Sequence, residues 1–191
     1  MAGERSDLEK EIVFRGNIFE IEHETQADGR VFEVARRAPG VRLIVANKAE
    51  QKLLLTREYR KELLADDYRL PGGKVFDKLE QYDAFRASGK DILGAASEKA
   101  KAEAAEEAGI DAQAVELYKK STLGATVEWD LYVFEATAWQ PHAAGQQLEV
   151  GEQIVTDNWF DYSDVKTMIL EGHMQEERVA LILLQWLAVQ E

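Results

Sequence analysis

The chain has 191 residues, with 23 Lys plus Arg against 36 Asp plus Glu, so its formal net charge is −13 at pH 7, and it contains no cysteine. The absence of cysteine excludes a disulfide framework, a thiolate nucleophile and a zinc ribbon, and any metal must be held by oxygen or by histidine. Such an acidic chain disfavours extended contact with a phosphate backbone, so we expect no nucleic-acid partner. No apolar run approaches the roughly 20 residues that cross a bilayer, and the N-terminal segment is charged, so we expect a cytoplasmic protein with no membrane partner.

The first 40 residues predict a small antiparallel sheet. Short apolar stretches alternate from Ile12 to Ala38 around Asp28-Gly29, which is a two-residue hairpin signal. Two further strands are predicted over 41–46 and 52–56, joined by a polar turn.

A glycine-rich turn, Leu70-Pro71-Gly72-Gly73, follows these strands and permits close approach of the backbone to a ligand. The next segment, 74–90, is polar and carries a Ser88-Gly89 breaker. We expect a loop or a short helix within a loop. Its length favours a functional insertion, at about 74–92, over a tight turn.

The remaining chain predicts a helix, three strands and two helices. The first helix covers 93–108 and ends at Gly109, as expected of a glycine C-cap. The later elements are strands over 115–121, 128–138 and 154–162, a helix capped by Ser163 and running to Glu171, and a closing apolar helix over 176–189. This order predicts an α+β fold of the α/β/α sandwich type, with a mixed β-sheet between helices, in a main domain over 41–191.

Three carboxylates fall on one side of the first long helix. Glu103 and Glu107 are four residues apart, and Glu106 is three residues from Glu103. The simple alternative is a solvated helix face on which Lys99, four residues before Glu103, pairs with it. Two more acidic residues, Glu149 and Glu152, occur in a later polar loop. Together with the glycine turn, these groups are the oxygen donors that a hard divalent cation requires.

These residues resemble the Nudix superfamily. The run from Glu103 to Ile110, Glu-Ala-Ala-Glu-Glu-Ala-Gly-Ile, is similar to the second half of the Nudix box, G-x5-E-x7-R-E-U-x-E-E-x-G-U, and Leu70 to Gly73 is similar to the turn that opens it. Thr56-Arg57-Glu58-Tyr59-Arg60 and the closing helix resemble the ADP-ribose and nucleoside-diphosphate-sugar pyrophosphatase branch. The resemblance spans nearly the whole chain.

The sequence also departs from the family pattern. The box Arg would fall at Ala102, and the small Ala104 stands where a bulky apolar residue is usual. The first box Glu would fall at Gly94, and extra residues lengthen the spacing from Gly73. In the family the missing residues orient the metal-binding carboxylates, so these departures bear on catalytic efficiency more than on metal binding.

The resemblance implies hydrolysis of the diphosphate bond in ADP-ribose or a related nucleoside diphosphate sugar, giving a nucleoside monophosphate and a sugar phosphate. It implies that Mg²⁺, with Mn²⁺ as the alternative, is bound by Glu103, Glu106, Glu107, the Gly72 carbonyl and the loop residue Glu152. Glu152, followed by Glu149, is the expected catalytic base. We expect Arg36 and Arg60 to contact the substrate, because a guanidinium matches phosphate geometry; the alternative for each is a surface ion pair.

The resemblance also implies a homodimer that shares the N-terminal strands.

Trp129 and Trp139 could stack on a base but are more commonly core residues, and Trp159 and Trp186 are assigned to packing. His142 is the one histidine for which a ligand role is worth testing. The functional alternatives are a non-catalytic nucleotide-binding module with a Nudix fold and an acidic protein that buffers divalent cations.

Overall fold

The computed structural model describes residues 9–148 and 153–190, and it describes no side chains at 156–158. The strands are β1 (Glu9–Arg15), β2 (Phe19–Thr25), β3 (Val31–Arg37), β4 (Gly40–Ile44), β5 (Ala46–Asn47), β6 (Lys52–Arg60), β7 (Ala65–Arg69), β8 (Ile110–Ser121), β9 (Val127–Glu128), β10 (Leu131–Pro141) and β11 (Ile154–Asp161). The helices are α1 (Leu79–Ala87), α2 (Ile92–Ala108), α3 (Tyr162–Leu170) and α4 (Glu177–Leu187).

The predicted N-terminal sheet is present. β1, β2 and β3 pair antiparallel, and β9 adds to β3 in parallel. The turn between β2 and β3 is longer than the two-residue turn that Asp28-Gly29 predicts, because Thr25 pairs with Val31. The N–H of Gly29 donates to the carbonyl of Gln26 at 2.9 Å, and Gly29 has a φ of 81°. A turn that ends in a left-handed glycine accounts for the extra residues.

The remaining strands form two further sheets. β10 lies between β4, to which it is parallel, and β8, to which it is antiparallel. β6 pairs antiparallel with β5, β7 and β11. The predicted strands over 41–46 and 52–56 therefore exist, but only the short β5 end of the first pairs with β6. The chain passes from one sheet to the other after Ile44.

Successive side chains of the central strands point to opposite helical layers. Val41, Leu43 and Val45 pack in the cluster that contains α2, whereas Ile44 and Ala46 pack in the cluster that contains α3 and α4. This period of two is the property of an extended strand with both faces buried. The predicted mixed sheet between helices, an α/β/α sandwich, is confirmed.

Helix α2 lies against the sheet along a row of alanines. The buried members, spaced four residues apart, are Ala96, Ala100, Ala104 and Ala108. Because alanine is small, the helix backbone approaches the sheet closely, which explains the small residue at position 104. Gly109 adopts a left-handed φ of 62° and ends the helix, as the sequence predicts.

The polar segment after the glycine turn contains the short helix α1, which docks on the N-terminal sheet. The N–H of Leu79 donates to the carbonyl of Asn17 at 2.9 Å, and the Leu79 side chain is buried. Asp83 accepts a hydrogen bond from Arg36 at 2.9 Å and is ion-paired with Arg15. The segment that follows the glycine turn is thus anchored to the N-terminal sheet.

The two C-terminal helices cover the other face of the sheet. Asp161, not Ser163, is the N-cap residue of α3, so Ser163 lies in the first turn. Trp186 of α4 is fully buried, and its Nε1 donates to Glu135 at 3.0 Å. No helix in the described ranges has the length and apolar character that a membrane span requires.

Candidate active site

The glycine turn is fixed on β4 by two backbone hydrogen bonds. The carbonyls of Pro71 and Gly73 accept from the N–H groups of Leu43 and Val41, each at 2.9 Å. A Cβ on Gly72 would overlap the carbonyl oxygen of Val41, and Gly72 has a φ of 149°. Only glycine fits between these two anchored carbonyls, so the turn has one allowed path.

Helix α2 places two carboxylates on this turn. Glu107 accepts a hydrogen bond from the backbone N–H of Gly72 at 2.8 Å. The Glu103 carboxylate lies so close to Gly73 that a Cβ there would overlap it. The spacing of four residues puts both groups on the same side of the helix, as the sequence predicts. The structure therefore brings Gly72, Glu103 and Glu107 together.

Lys99 pairs with Glu103, with Nζ 2.9 Å from Oε1. Burial raises the pKa of Glu103; the hydrogen bond and charge of Lys99 oppose this effect, and Glu106 adds to it. Burial alone lowers the pKa of Lys99, but the hydrogen bond and charge of Glu103 outweigh it and raise the pKa overall. The Lys99–Glu103 ion pair that the spacing of four residues predicts is therefore present, and the Lys99 ammonium lies beside the Glu103 carboxylate.

The donor chemistry of this helix fits a hard divalent cation. Glu103, Glu106 and Glu107 supply carboxylate oxygens, which Mg²⁺ and Mn²⁺ prefer. Within residues 9–148 and 153–190, however, no three acidic or histidine side chains converge closely enough to share one ion. Lys99 competes with a cation for Oε1 of Glu103.

The polar loop after β10 returns to the carboxyl end of α2. The Gln146 side chain donates to the carbonyls of Glu107 and Ile154, each at 2.8 Å, and the N–H of Gln147 donates to the carbonyl of Glu106 at 2.9 Å. The predicted bases Glu149 and Glu152 lie outside the described residues.

A groove of about 560 Å³ opens beside the glycine turn. Glu107, Gly72, Gly73 and Trp129 form part of its wall. The cationic side chains that line it are Arg37, Arg42, Arg60, Arg69 and Lys74. Glu58, Glu62, Glu107 and Glu176 also line the groove, so its five cationic side chains lie among four carboxylates. The guanidinium groups can pair with an anionic ligand, and the carboxylates can bind a cation that accompanies it.

Of the two predicted substrate arginines, the structure brings only Arg60 to the groove. Its guanidinium is paired with Glu58 at 3.0 Å and with Glu62 at 2.9 Å. Arg36 points away from the groove and is buried in ion pairs with Glu20, Glu22 and Asp83.

Arg37 lines the groove in its place, because consecutive residues of β3 face opposite sides. The strand period of two predicts that Arg36 and Arg37 face opposite sides of β3, but it does not tell which side faces the groove. Arg42 was missed for another reason. It interrupts an apolar strand, where a charged residue with a partner distant in sequence gives no local signal.

Of the aromatic and histidine candidates, only Trp129 lines the groove in the described residues. Trp129 lies at the groove with two guanidinium groups over its ring, those of Arg37 at 4.4 Å and Arg178 at 4.3 Å from the ring centroid. Trp139 does not line the groove; it stacks on Trp159, with 5.2 Å between the two ring centroids, and its Nε1 donates to the carbonyl of Ala46. His142 lies 3.5 Å from Asp111 and does not line the groove.

Comparison with solved structures finds a match to a protein described as ADP compounds hydrolase. The two chains are 19% identical with a TM-score of 0.62, and the match covers 96% of this chain and 94% of that chain. At 19% identity this similarity shows a shared fold and nothing more. No protein-family model and no curated protein matches the sequence.

Proposed function

We propose that this chain, whose fold is Nudix-like, hydrolyses the diphosphate bond of ADP-ribose or a related nucleoside diphosphate sugar in the presence of Mg²⁺. The products would be a nucleoside monophosphate and a sugar phosphate. The observation that carries the proposal is the placement of Glu103 and Glu107 on the Gly72-Gly73 turn at the edge of an arginine-lined groove. The solved protein of similar fold is described as a hydrolase of ADP compounds.

Each part of the groove has a task in this proposal. Glu103, Glu106, Glu107 and the Gly72 carbonyl would hold Mg²⁺ or Mn²⁺, which when bound neutralises phosphate oxygens and lowers the pKa of a bound water. Arg60 and Arg37 would orient the diphosphate through guanidinium hydrogen bonds. By position in the chain, Glu152 or Glu149 would accept the proton of the attacking water.

Turnover with and without metal tests the proposal. The purified protein is incubated with ADP-ribose, GDP-mannose, UDP-glucose and a dinucleoside polyphosphate, each with Mg²⁺ and with EDTA, and nucleoside monophosphates are quantified. We expect release from ADP-ribose or another diphosphate sugar only when Mg²⁺ is present. No metal-dependent cleavage of any of these compounds would refute it.

A non-catalytic nucleotide-binding module is the second candidate. It is favoured by the Lys99–Glu103 ion pair, which occupies a metal-binding carboxylate, and by Ala102 at the box Arg position. This candidate predicts tight binding of ADP-ribose by calorimetry with turnover no faster than in Glu107→Gln. The cation-buffering alternative instead predicts metal binding that nucleotides leave unchanged.

We also propose a homodimer assembled through the N-terminal sheet. Large apolar side chains are exposed on it, including Phe14 at 59%, Val31 at 52% and Phe32 at 45%. A second copy would bury such a surface. Analytical ultracentrifugation of wild type and Phe14→Asp would distinguish a dimer lost on substitution from a monomer in both. A cytoplasmic location stays a prediction.

A further inference from the structure

The groove arginines differ in how their charge is compensated. Arg42 is paired with Glu176 at 2.8 Å, and Arg60 is paired with Glu58 and Glu62. Arg69 is likewise paired, with the buried Asp67. Arg37 makes no ion pair with any carboxylate that the structure describes, although it lines the same groove.

Arg37 is instead held by aromatic rings. Its guanidinium carbon lies 5.0 Å from the ring centroid of Phe19 and 4.4 Å from that of Trp129. Its Nε is buried and has no hydrogen-bond partner in the described ranges. Burial lowers the pKa of Arg37, the charges of Arg178 and Arg42 lower it further, and Glu176 opposes them. A desolvated cation fixed in this way is preorganised for an anion.

Arg178 adds a second unpaired guanidinium to the same place. It lies over Trp129 and donates from Nη1 to the Trp129 carbonyl at 3.0 Å, while its buried Nη2 has no partner in the described part of the chain. As the second residue of α4, it lies at the positive end of the helix dipole, where a cation is disfavoured. Asp130, which also acts on Arg178, is already paired with Lys120 at 2.7 Å.

We infer that Arg37 and Arg178, which both lie over the Trp129 ring, form with the neighbouring groove residue Arg42 a subsite for a phosphomonoester dianion. Glu176 is paired with Arg42, and Asp130, the other carboxylate that acts on Arg178, is paired with Lys120, so neither nearby carboxylate is ion-paired with Arg37 or Arg178. A phosphomonoester, which carries close to two negative charges near neutral pH, matches these two guanidinium groups. Arg37 and Arg42 reach the ligand from the groove wall, and Arg178 contributes its field and holds the indole.

This subsite rests on the proposed function and extends it. The groove would bind a phosphomonoester in addition to the diphosphate that a cation held by the carboxylates of α2 would bind. The phosphomonoester is a 2′- or 3′-phosphate on the nucleoside, or the phosphate of a free sugar phosphate. The chemistry of recognition is the same in the three cases, since a guanidinium fork pairs with phosphate oxygens in each.

Matched ligands in EDTA test the subsite without turnover or metal. Calorimetry compares NADP with NAD for a 2′-phosphate, coenzyme A with dephospho-coenzyme A for a 3′-phosphate, and ribose 5-phosphate with ribose. Each pair differs by one phosphomonoester. The proteins are wild type, Arg37→Gln, Arg178→Gln and the control Arg30→Gln, whose side chain is exposed in the β2–β3 turn and paired with Asp28.

In wild type and in Arg30→Gln we expect the phosphorylated member of at least one pair to bind about tenfold or more tightly than its partner. Arg37→Gln should abolish that preference, and Arg178→Gln should reduce it, with unchanged circular dichroism spectra. Equal affinity within all three pairs, or a preference that survives Arg37→Gln, overturns the inference. Because calorimetry in EDTA measures no catalysis, the result for the subsite is independent of the result for hydrolysis. A protein without hydrolase activity can still show the phosphate preference, and an active hydrolase can still lack it.

Discussion

The carboxylate of Glu107 accepts a hydrogen bond from the backbone N–H of Gly72, with 2.8 Å between Oε2 and N. This bond joins the acidic helix to the glycine turn across 35 residues of sequence, which include the polar segment 74–90. The polar segment therefore does not separate the two parts of the site, because its helix α1 docks on the N-terminal sheet.

The two glycines of the turn are expected to respond differently to alanine. In Gly72→Ala the added Cβ meets the rigid carbonyl of Val41, so the free energy of unfolding should fall, by about 1–3 kcal/mol from backbone strain. In Gly73→Ala the added Cβ meets the movable carboxylate of Glu103, so the hydrolysis rate should fall, whereas the free energy of unfolding should fall less than in Gly72→Ala. Urea unfolding and initial rates check this, and equal stability of the two variants would contradict it.

Removal of Lys99 is expected to strengthen metal binding. Lys99→Ala frees Glu103 from its ammonium partner, so the Mg²⁺ concentration for half-maximal turnover should fall, by about two- to tenfold for one lost ion pair. Lys101→Ala is the matched control, because Lys101 pairs with the exposed Glu98 on the same helix. An unchanged metal requirement in Lys99→Ala would show that the pair does not compete with the cation.

The contact between helix α1 and the N-terminal sheet should depend on pH. Burial tends to raise the pKa of Asp83, but the hydrogen bond from Arg15 and the charge and hydrogen bond of Arg36 outweigh it and lower the pKa overall. A lowered folded-state pKa gives stability that is present above the unfolded value, about 3.9, and is lost as the pH falls through the folded value. The melting temperature of Asp83→Asn should thus lie below wild type at pH 7 and approach it near pH 3; a constant difference would contradict this account.

The alanine row of α2 should not tolerate enlargement. Ala104→Leu forces a larger side chain between the helix and the sheet, and should cost about 1–3 kcal/mol of unfolding free energy through overpacking. Ala105→Leu, at the next and only partly buried position, is the control and should cost less. Chemical denaturation measures both, and a smaller loss at position 104 than at position 105 would count against the close approach of α2.

The sequence predicted the elements whose signals are local. Helix α2 with its Gly109 cap, the N-terminal strands and the closing helix all follow from periodicity over a few residues. Strand partners did not follow, because the parallel pairing of β4 with β10 joins segments about ninety residues apart and leaves no local trace. Turn length was mispredicted for a similar reason, since one left-handed glycine admits more than one hairpin geometry.

For the site, the helix spacing of Glu103 and Glu107 and their meeting with the glycine turn could be predicted, whereas the choice between Arg36 and Arg37 could not. That choice depends on which face of β3 is covered, and Glu20 and Asp83, which capture Arg36, come from other elements. The two guanidinium groups over Trp129 come from β3 and α4, which are distant in sequence, so only the folded chain reveals them.

The most direct test of the proposed hydrolase compares ADP-ribose cleavage at saturating Mg²⁺ by wild type, Glu107→Gln and Glu98→Gln. The Glu107→Gln substitution keeps an oxygen acceptor for the N–H of Gly72 but removes the charge, and Glu98 is an exposed residue of the same helix. We predict metal-dependent release of AMP by wild type, a rate lower by about 100-fold or more in Glu107→Gln, and a rate within about twofold of wild type in Glu98→Gln. A wild-type rate in Glu107→Gln, or no release by wild type, would contradict the account.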